Sequence, residues 1–375
     1  MAALCTVNAI GCTAYSPALA AKASAAPERQ QTPWSAYLGT PQHDASAAET
    51  LSADPRPRWT VSVGRAVRGC PAVGEGVMAV GTADRQVVLI ERATGQIVWR
   101  TRLQGTMRAG PLLDRDRLYA GTEGSPDGRV YALHLKGGRV IWSTRTGSVE
   151  ASLALDHDTL YAGTEPGLVL RLVTADGKVA WRRQLSGAVR APPVPTSHGL
   201  IVATTSDTLF LLDRATGEVR RRLATAGTVL GGPALGASGN DLYFGTTGGH
   251  VMAVALPQLS VTWDVAAGDA IFGALAVARD TVYALARNGT LWLIPRADAV
   301  GARSLPLDIV ATAGPTPLAR GILAASVSGE VVLVNPASGA IDWRVQLDGP
   351  IEQPPLVRDG DLVVIGGRGD IHTYR

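Results

Sequence analysis

The sequence predicts an all-β fold: an eight-bladed β-propeller of four-stranded blades, its ring closed by the N-terminal strand pairing in the last blade. Three observations predict it. First, Trp59, Trp99, Trp142 and Trp181 lie 40, 43 and 39 residues apart, and the same slot continues through Arg221, Trp263, Arg303 and Trp343 at spacings of 40, 42, 40 and 40. Such a period marks an array of one supersecondary unit. Second, a glycine stands four residues before the slot at Gly95, Gly138, Gly177, Gly217 and Gly339, as a tight hairpin with positive φ requires. Third, the repeats open on a lone fourth strand, Arg58–Val63, and finish on three strands ending at Ile371–Tyr374. The two partial units sum to one blade, so Trp59 is expected beside the C-terminal strand.

Within each unit the elements follow in order. A short apolar segment, often led by proline, comes first: Pro71-Ala-Val, Pro111-Leu-Leu, Pro193-Val, Pro233-Ala-Leu and Pro355-Leu-Val. A second β run follows, as in Val77–Gly81, Leu118–Gly121, Leu160–Gly163, Leu242–Gly245 and Leu362–Gly366. The third is exemplified by Val87–Ile90, Val130–Leu133 and Val331–Val334, and the slot sits in the fourth. Gly, Asp and Asn turns join these runs, and no amphipathic helix of useful length separates the units. A radial array protects the sheet edges that an open one would expose. An open β-solenoid fits less well, because its repeats are usually shorter.

Composition excludes several other classes. The chain of 375 residues is 46% hydrophobic with a formal charge of only +3, which is incompatible with disorder. Its 43 glycines have no three-residue period and no heptad stripe appears, excluding collagen-like and coiled-coil architectures. No Lys/Arg run exceeds Arg220-Arg221-Arg222, so the basic stripe that nucleic acid would need is lacking. Cys5, Cys12 and Cys70 are too few for a disulfide framework or a zinc cage, and Cys70 reads as a small buried apolar residue.

The first charge is Lys22, so residues 1–33 read as an export leader and tether, without the positive n-region of a complete signal. Two processing sites compete: lipidation at Cys12, preceded by Gly11, or cleavage after Ala20. Residues 34–375 are expected to form the single propeller. The expected location is the periplasm, with the outer membrane reached only through the N-terminal anchor.

The Ala-x-Gly-x-x-x-Trp pattern, the Pro-led first strands and the Leu-Tyr-Ala-Gly-Thr second strands resemble the tryptophan-docking repeat of pyrroloquinoline-quinone (PQQ)-type propellers. With the leader and the lead-in Trp34–Gln42, the chain is most similar to the outer-membrane assembly factor (BamB-like) family. That resemblance implies a non-enzymatic scaffold with protein partners in the cell envelope, a monomeric ring within a larger complex, and no cofactor. It also implies partner contact through extended loops after the tryptophan strands of central blades, whereas the stretches from Trp142 to Ser152 and Trp181 to Pro192 are short. The alternatives are a PQQ-dependent or other small-ligand enzyme and a ligand-sensing propeller. Against an enzyme, the sequence has no adjacent cysteine pair, and its six His never share metal-ligand spacing. It also has no nucleophile elbow and no glycine loop leading into a helix.

Comparing equivalent repeat positions yields one candidate site. Three residues before the Pro slot stand Arg68, Arg108, Glu150, Arg190, Leu230, Phe272, Thr312 and Glu352. All eight are expected at one mouth of the central channel. Because blade eight adjoins blade one, Glu352, Arg68, Arg108, Glu150 and Arg190 form a continuous charged arc facing an uncharged one. The arc is either a docking surface for a peptide or acidic group or a self-neutralising ring of ion pairs. Trp59, Trp99, Trp142, Trp181, Trp263 and Trp343 are assigned to packing between blades, with Arg221 and Arg303 packing their stems in the two remaining slots.

Overall fold

The structure, a computed structural model, describes residues 38–40, 43 and 47–375; the proposed leader with Cys5 and Cys12, the boundary at residue 34, and Trp34 lie outside the described residues. Thirty-two strands form eight separate four-stranded antiparallel sheets, with no helix among the described residues. Blades one to seven occupy 72–102, 112–145, 154–184, 194–224, 234–266, 276–306 and 316–346. Blade eight is built from 356–374 and takes Pro57–Ser62 as its outer strand. Trp59 pairs with Thr373 and Pro57 with Tyr374, so the two ends of the chain close the ring as expected.

Burial follows from the layering of each blade. The second strand of blade one, Val77–Gly81, and the core of the third, Val87–Ile90, are wholly buried between neighbouring sheets. Outer strands alternate or face solvent, as in Val179–Gln184 and Val219–Ala224. This explains the long apolar runs and the modest charge, because two of every four strands have both faces covered.

The slot is a joint between blades. Each slot residue stands at one register position: Trp99 opposite Leu89, Trp142 opposite Ala132, Trp181 opposite Arg171, Trp263 opposite Ala253 and Trp343 opposite Leu333. The residue before each is squeezed out as a bulge, which twists the strand and aims the indole at the next blade. There the indole N–H donates to a backbone carbonyl: Trp59 to Arg92, Trp99 to Leu135, Trp142 to Thr174, Trp181 to Arg214 and Trp263 to Arg296, at 2.8–3.0 Å. Tyr119, Tyr161 and Tyr243 support the rings of Trp142, Trp181 and Trp263 at centroid distances of 6.1, 6.2 and 5.7 Å. Trp343 meets Tyr374 edge-on at 5.8 Å.

Where a glycine stands four residues before the slot and faces an indole, it serves two purposes. It takes the predicted positive φ, +72° at Gly177. It is also the floor on which the preceding blade's indole lies, since a Cβ on Gly177 would stand 2.5 Å from Trp142 Cε3, and one on Gly138 equally close to Trp99.

Arg303 and Arg221 behave differently from one another. Arg303 reaches the carbonyl of Pro336 on blade seven, as an indole would. Arg221 is exposed and donates to its own neighbour, Arg220 O, at 2.9 Å, so the expected stem packing does not occur. The next blade compensates, because its floor position is Leu259, 4% exposed, inside the apolar cluster of blades four and five. An aliphatic side chain from blade five thus fills the space that an indole from blade four would take.

Leu38 enters the channel: it is buried in one cluster with Cys70, at the entry to blade one, and Ala274, at the entry to blade six. His43 Nδ1 donates to Leu275 O at 2.8 Å. Further on, Glu49 O accepts from Ala319 N at 2.9 Å and Leu51 packs on the cluster of blades seven and eight. Burial pushes the His43 imidazole down to about 4, against a smaller opposing effect of the Leu275 bond.

Candidate functional site

The segments that lead into the inner strands lie at the channel mouth, and seven of the eight carry a small residue where backbones converge: Gly69, Ala109, Ala151, Ala191, Gly231, Gly273 and Ala313, with Gln353 in the eighth place. A Cβ on Gly273 would lie 2.2 Å from Gly314 N. The residue before each of these turns its side chain to the opening. All eight mouth positions, from Arg68 round to Glu352, line a single cavity of about 590 Å³.

The charges within it are unevenly paired. Arg108 Nε lies 2.8 Å from Glu123 Oε1, and Arg190 holds Glu165 through two bonds of 2.5 and 3.0 Å. Between them, Glu150 Oε2 stands 3.8 Å from both Arg108 Nε and Arg190 Nε. Burial pushes the Glu150 carboxyl up, helped by the charge of Glu165 and opposed by the two arginines. For Glu123 burial acts in the same sense, but hydrogen bonds from Thr106 and Arg108 and the charges of Arg108 and Arg68 outweigh it and leave that carboxyl below its usual range. The middle of the charged arc is therefore self-neutralising.

Arg68 and Glu352 stand outside this pairing. Among the described residues no acid forms an ion pair with Arg68 and no base forms one with Glu352. Their neighbours lock the two blades together: Gln353 Nε2 donates to Arg68 O at 2.5 Å, and Cys70 Sγ donates to Gln353 Oε1 at 2.9 Å. Cys70 is buried as expected, and it also makes a polar contact across the ring seam.

Sequence comparison found the mouth positions but not Glu123 and Glu165. These occupy a second repeat column, two residues beyond the strand-ending Gly121 and Gly163, filled elsewhere by Ala83, Thr205, Thr247, Arg287, Val327 and Gly367. Glu123 stands in the same blade as Arg108, whereas Glu165 reaches Arg190 from the blade before it. Among the described residues no three His, Cys, Asp or Glu side chains are grouped to hold a metal ion.

Fold and site together define a closed, tryptophan-docked eight-bladed propeller with a two-faced mouth cavity. The family model for outer membrane protein assembly factor BamB matches residues 47–151, 126–300 and 295–374, and the chain belongs to that family. It is 25% identical over 204 residues to the BamB of Legionella pneumophila (strain Paris), a match spanning 51% of this chain and 50% of that relative's length. By shape it is similar to BamB from Moraxella catarrhalis (TM-score 0.72, 15% identity, 86% of this chain and 99% of that one). It is equally similar to the quinohemoprotein alcohol dehydrogenase from Comamonas testosteroni (TM-score 0.75, 14% identity, 95% and 84%). At such identities the two structural likenesses establish the fold alone.

Proposed function

We propose that the chain is a non-enzymatic scaffold of the cell envelope serving outer-membrane protein assembly, with protein partners and an N-terminal attachment to the membrane. The observation that carries this reading is the family match along the whole ring. The mouth is its candidate docking face. Supporting the reading against a PQQ enzyme is the chemistry of the mouth. A cofactor bearing three carboxylates would meet Glu150 and Glu352, with Arg108 and Arg190 already engaged and Arg68 alone left to receive it. Like charges at close range are unfavourable, so these residues do not fit that group.

Deleting the gene from its host tests the proposal. Assembled outer-membrane protein should fall and return with a wild-type copy, whereas unchanged levels would overturn it. Arg68→Glu combined with Arg108→Glu should weaken the rescue, and full rescue would remove the mouth as the docking face. Dye reduction by pure protein given PQQ and calcium would favour the enzyme.

A further inference from the structure

The two unpaired members of the charged arc, Glu352 at one end and Arg68 beside it, are neighbours round the ring. Arg108 finds Glu123 in the second repeat column of its own blade and Arg190 finds Glu165 in that of the blade before it, but for Arg68 these two positions hold Ala83 and Gly367, and for Glu352 they hold Gly367 and Val327. One guanidinium and one carboxylate therefore stand side by side across the ring seam, tied at their backbones by Gln353 and facing one cavity without pairing with each other. A third polar group belongs with them. Thr312 Oγ1 on blade seven, next round the ring from Glu352, has no hydrogen-bond partner among the described residues and is shielded just beneath the wall of the same cavity, where a turn about χ1 would present it to a ligand. Buried hydroxyls are nearly always satisfied, so an orphan in a cavity wall marks a place for a donor or acceptor from outside. The next wall, Phe272 and Leu230, is apolar.

We propose that the mouth cavity binds a free α-amino acid with an apolar or aromatic side chain. Its carboxylate sits on Arg68, its ammonium on Glu352 and Thr312 Oγ1, and its side chain lies against Phe272 and Leu230. The planar guanidinium matches a carboxylate bidentately. An ammonium has three donors, for which Glu352 and Thr312 supply acceptors. A simple anion would meet the carboxylates of Glu352 and Glu150, and a simple cation would meet Arg68, whereas a dipolar ligand satisfies both ends at once. The cavity, about 590 Å³, is within the usual size range of small-molecule sites. The site shares its residues with the candidate docking face but not the family match that carries the scaffold reading, so binding heats test the one and rescue of the gene deletion tests the other.

Isothermal titration calorimetry on the purified full chain tests it, with L-phenylalanine as the probe beside N-acetyl-L-phenylalanine, L-phenylalaninamide and glycine. The free amino acid should bind, and each analogue lacking one charge should bind at least about tenfold more weakly, as expected for loss of a hydrogen bond to a charged group. Arg68→Met should bind L-phenylalanine and its amide equally, and Glu352→Gln should do the same for L-phenylalanine and its N-acetyl form. Both side chains are exposed, so the variants should keep the wild-type melting curve. The proposal is overturned if millimolar L-phenylalanine gives no binding heat, if either modified form binds as tightly as the free amino acid, or if glycine matches L-phenylalanine.

Discussion

Gly177→Ala probes the joint between blades most sharply, because the structure separates its two penalties. The first is conformational: at φ +72° a Cβ in left-handed backbone costs roughly 1–2 kcal/mol. The second is steric. The new methyl would stand 2.5 Å from Trp142 Cε3 and 2.7 Å from Thr144 Oγ1, so the indole must lift off its floor and weaken its 2.9 Å bond to Thr174 O. Truncating a buried large aromatic costs about 3–5 kcal/mol, and losing part of that dock should cost about 2 kcal/mol. The expected total is about 3–4 kcal/mol. Two internal controls carry the first penalty without the second: Gly76, φ +68°, has nothing within 4 Å, and Gly339, φ +77°, faces only Leu305 Cδ2 at 3.2 Å because Arg303 replaces the tryptophan there. Urea unfolding followed by far-UV circular dichroism should give about 1–2 kcal/mol for each control. Equal losses at all three glycines would refute the idea that the slot tryptophan docks on glycine.

Three further outcomes follow from the same geometry. Arg221→Trp alone should fail to stabilise, because Leu259 fills its dock; combined with Leu259→Gly it should recover stability with a coupling of about 1–3 kcal/mol in a double-mutant cycle of urea midpoints. Asp361, 5% exposed, binds Arg58 at 2.6 Å and Arg375 at 3.0 Å, and so ties both chain ends across the seam. Asp361→Ala should cost about 3–5 kcal/mol, and deleting residues 56–63 should melt the whole ring and not one blade, read by loss of protection from hydrogen exchange in every blade. His43 is held neutral in the channel with its pKa lowered from 6.5 to about 4, so below pH 6.5 the unfolded chain takes up a proton that the folded chain refuses. Stability should therefore fall between pH 6.5 and 4 by up to about 3 kcal/mol, and His43→Leu should flatten that part of the urea-midpoint profile.

Much of this architecture was legible because it repeats. The predicted run Val77–Gly81 is the observed strand, and Leu362–Gly366 differs by one residue from Asp361–Ile365. Eight unlike residues could be placed in one cavity because a repeat turns sequence position into angle around the ring. What resisted reading was the contact between columns. Glu123 and Glu165 lie 15 and 25 residues from the arginines they neutralise, and only the curvature of the ring brings them together. The floor role of the glycines was hidden behind their turn conformation, which accounts for them locally without any tryptophan. The exchange of an indole at slot 221 for Leu259 needs both blades to be seen at once. The lead-in has no repeat partner, so nothing in its pattern announces that Leu38 and His43 enter the channel.

The central claim, a propeller scaffold serving outer-membrane protein assembly, is tested most directly by capturing the tagged chain from native envelopes after mild cross-linking and identifying its neighbours by mass spectrometry. Stoichiometric recovery of outer-membrane assembly proteins is expected, with cross-links concentrated on the mouth face around Arg68 and Glu352. Recovery of the ring alone, or with a soluble redox partner and bound chromophore, would contradict it.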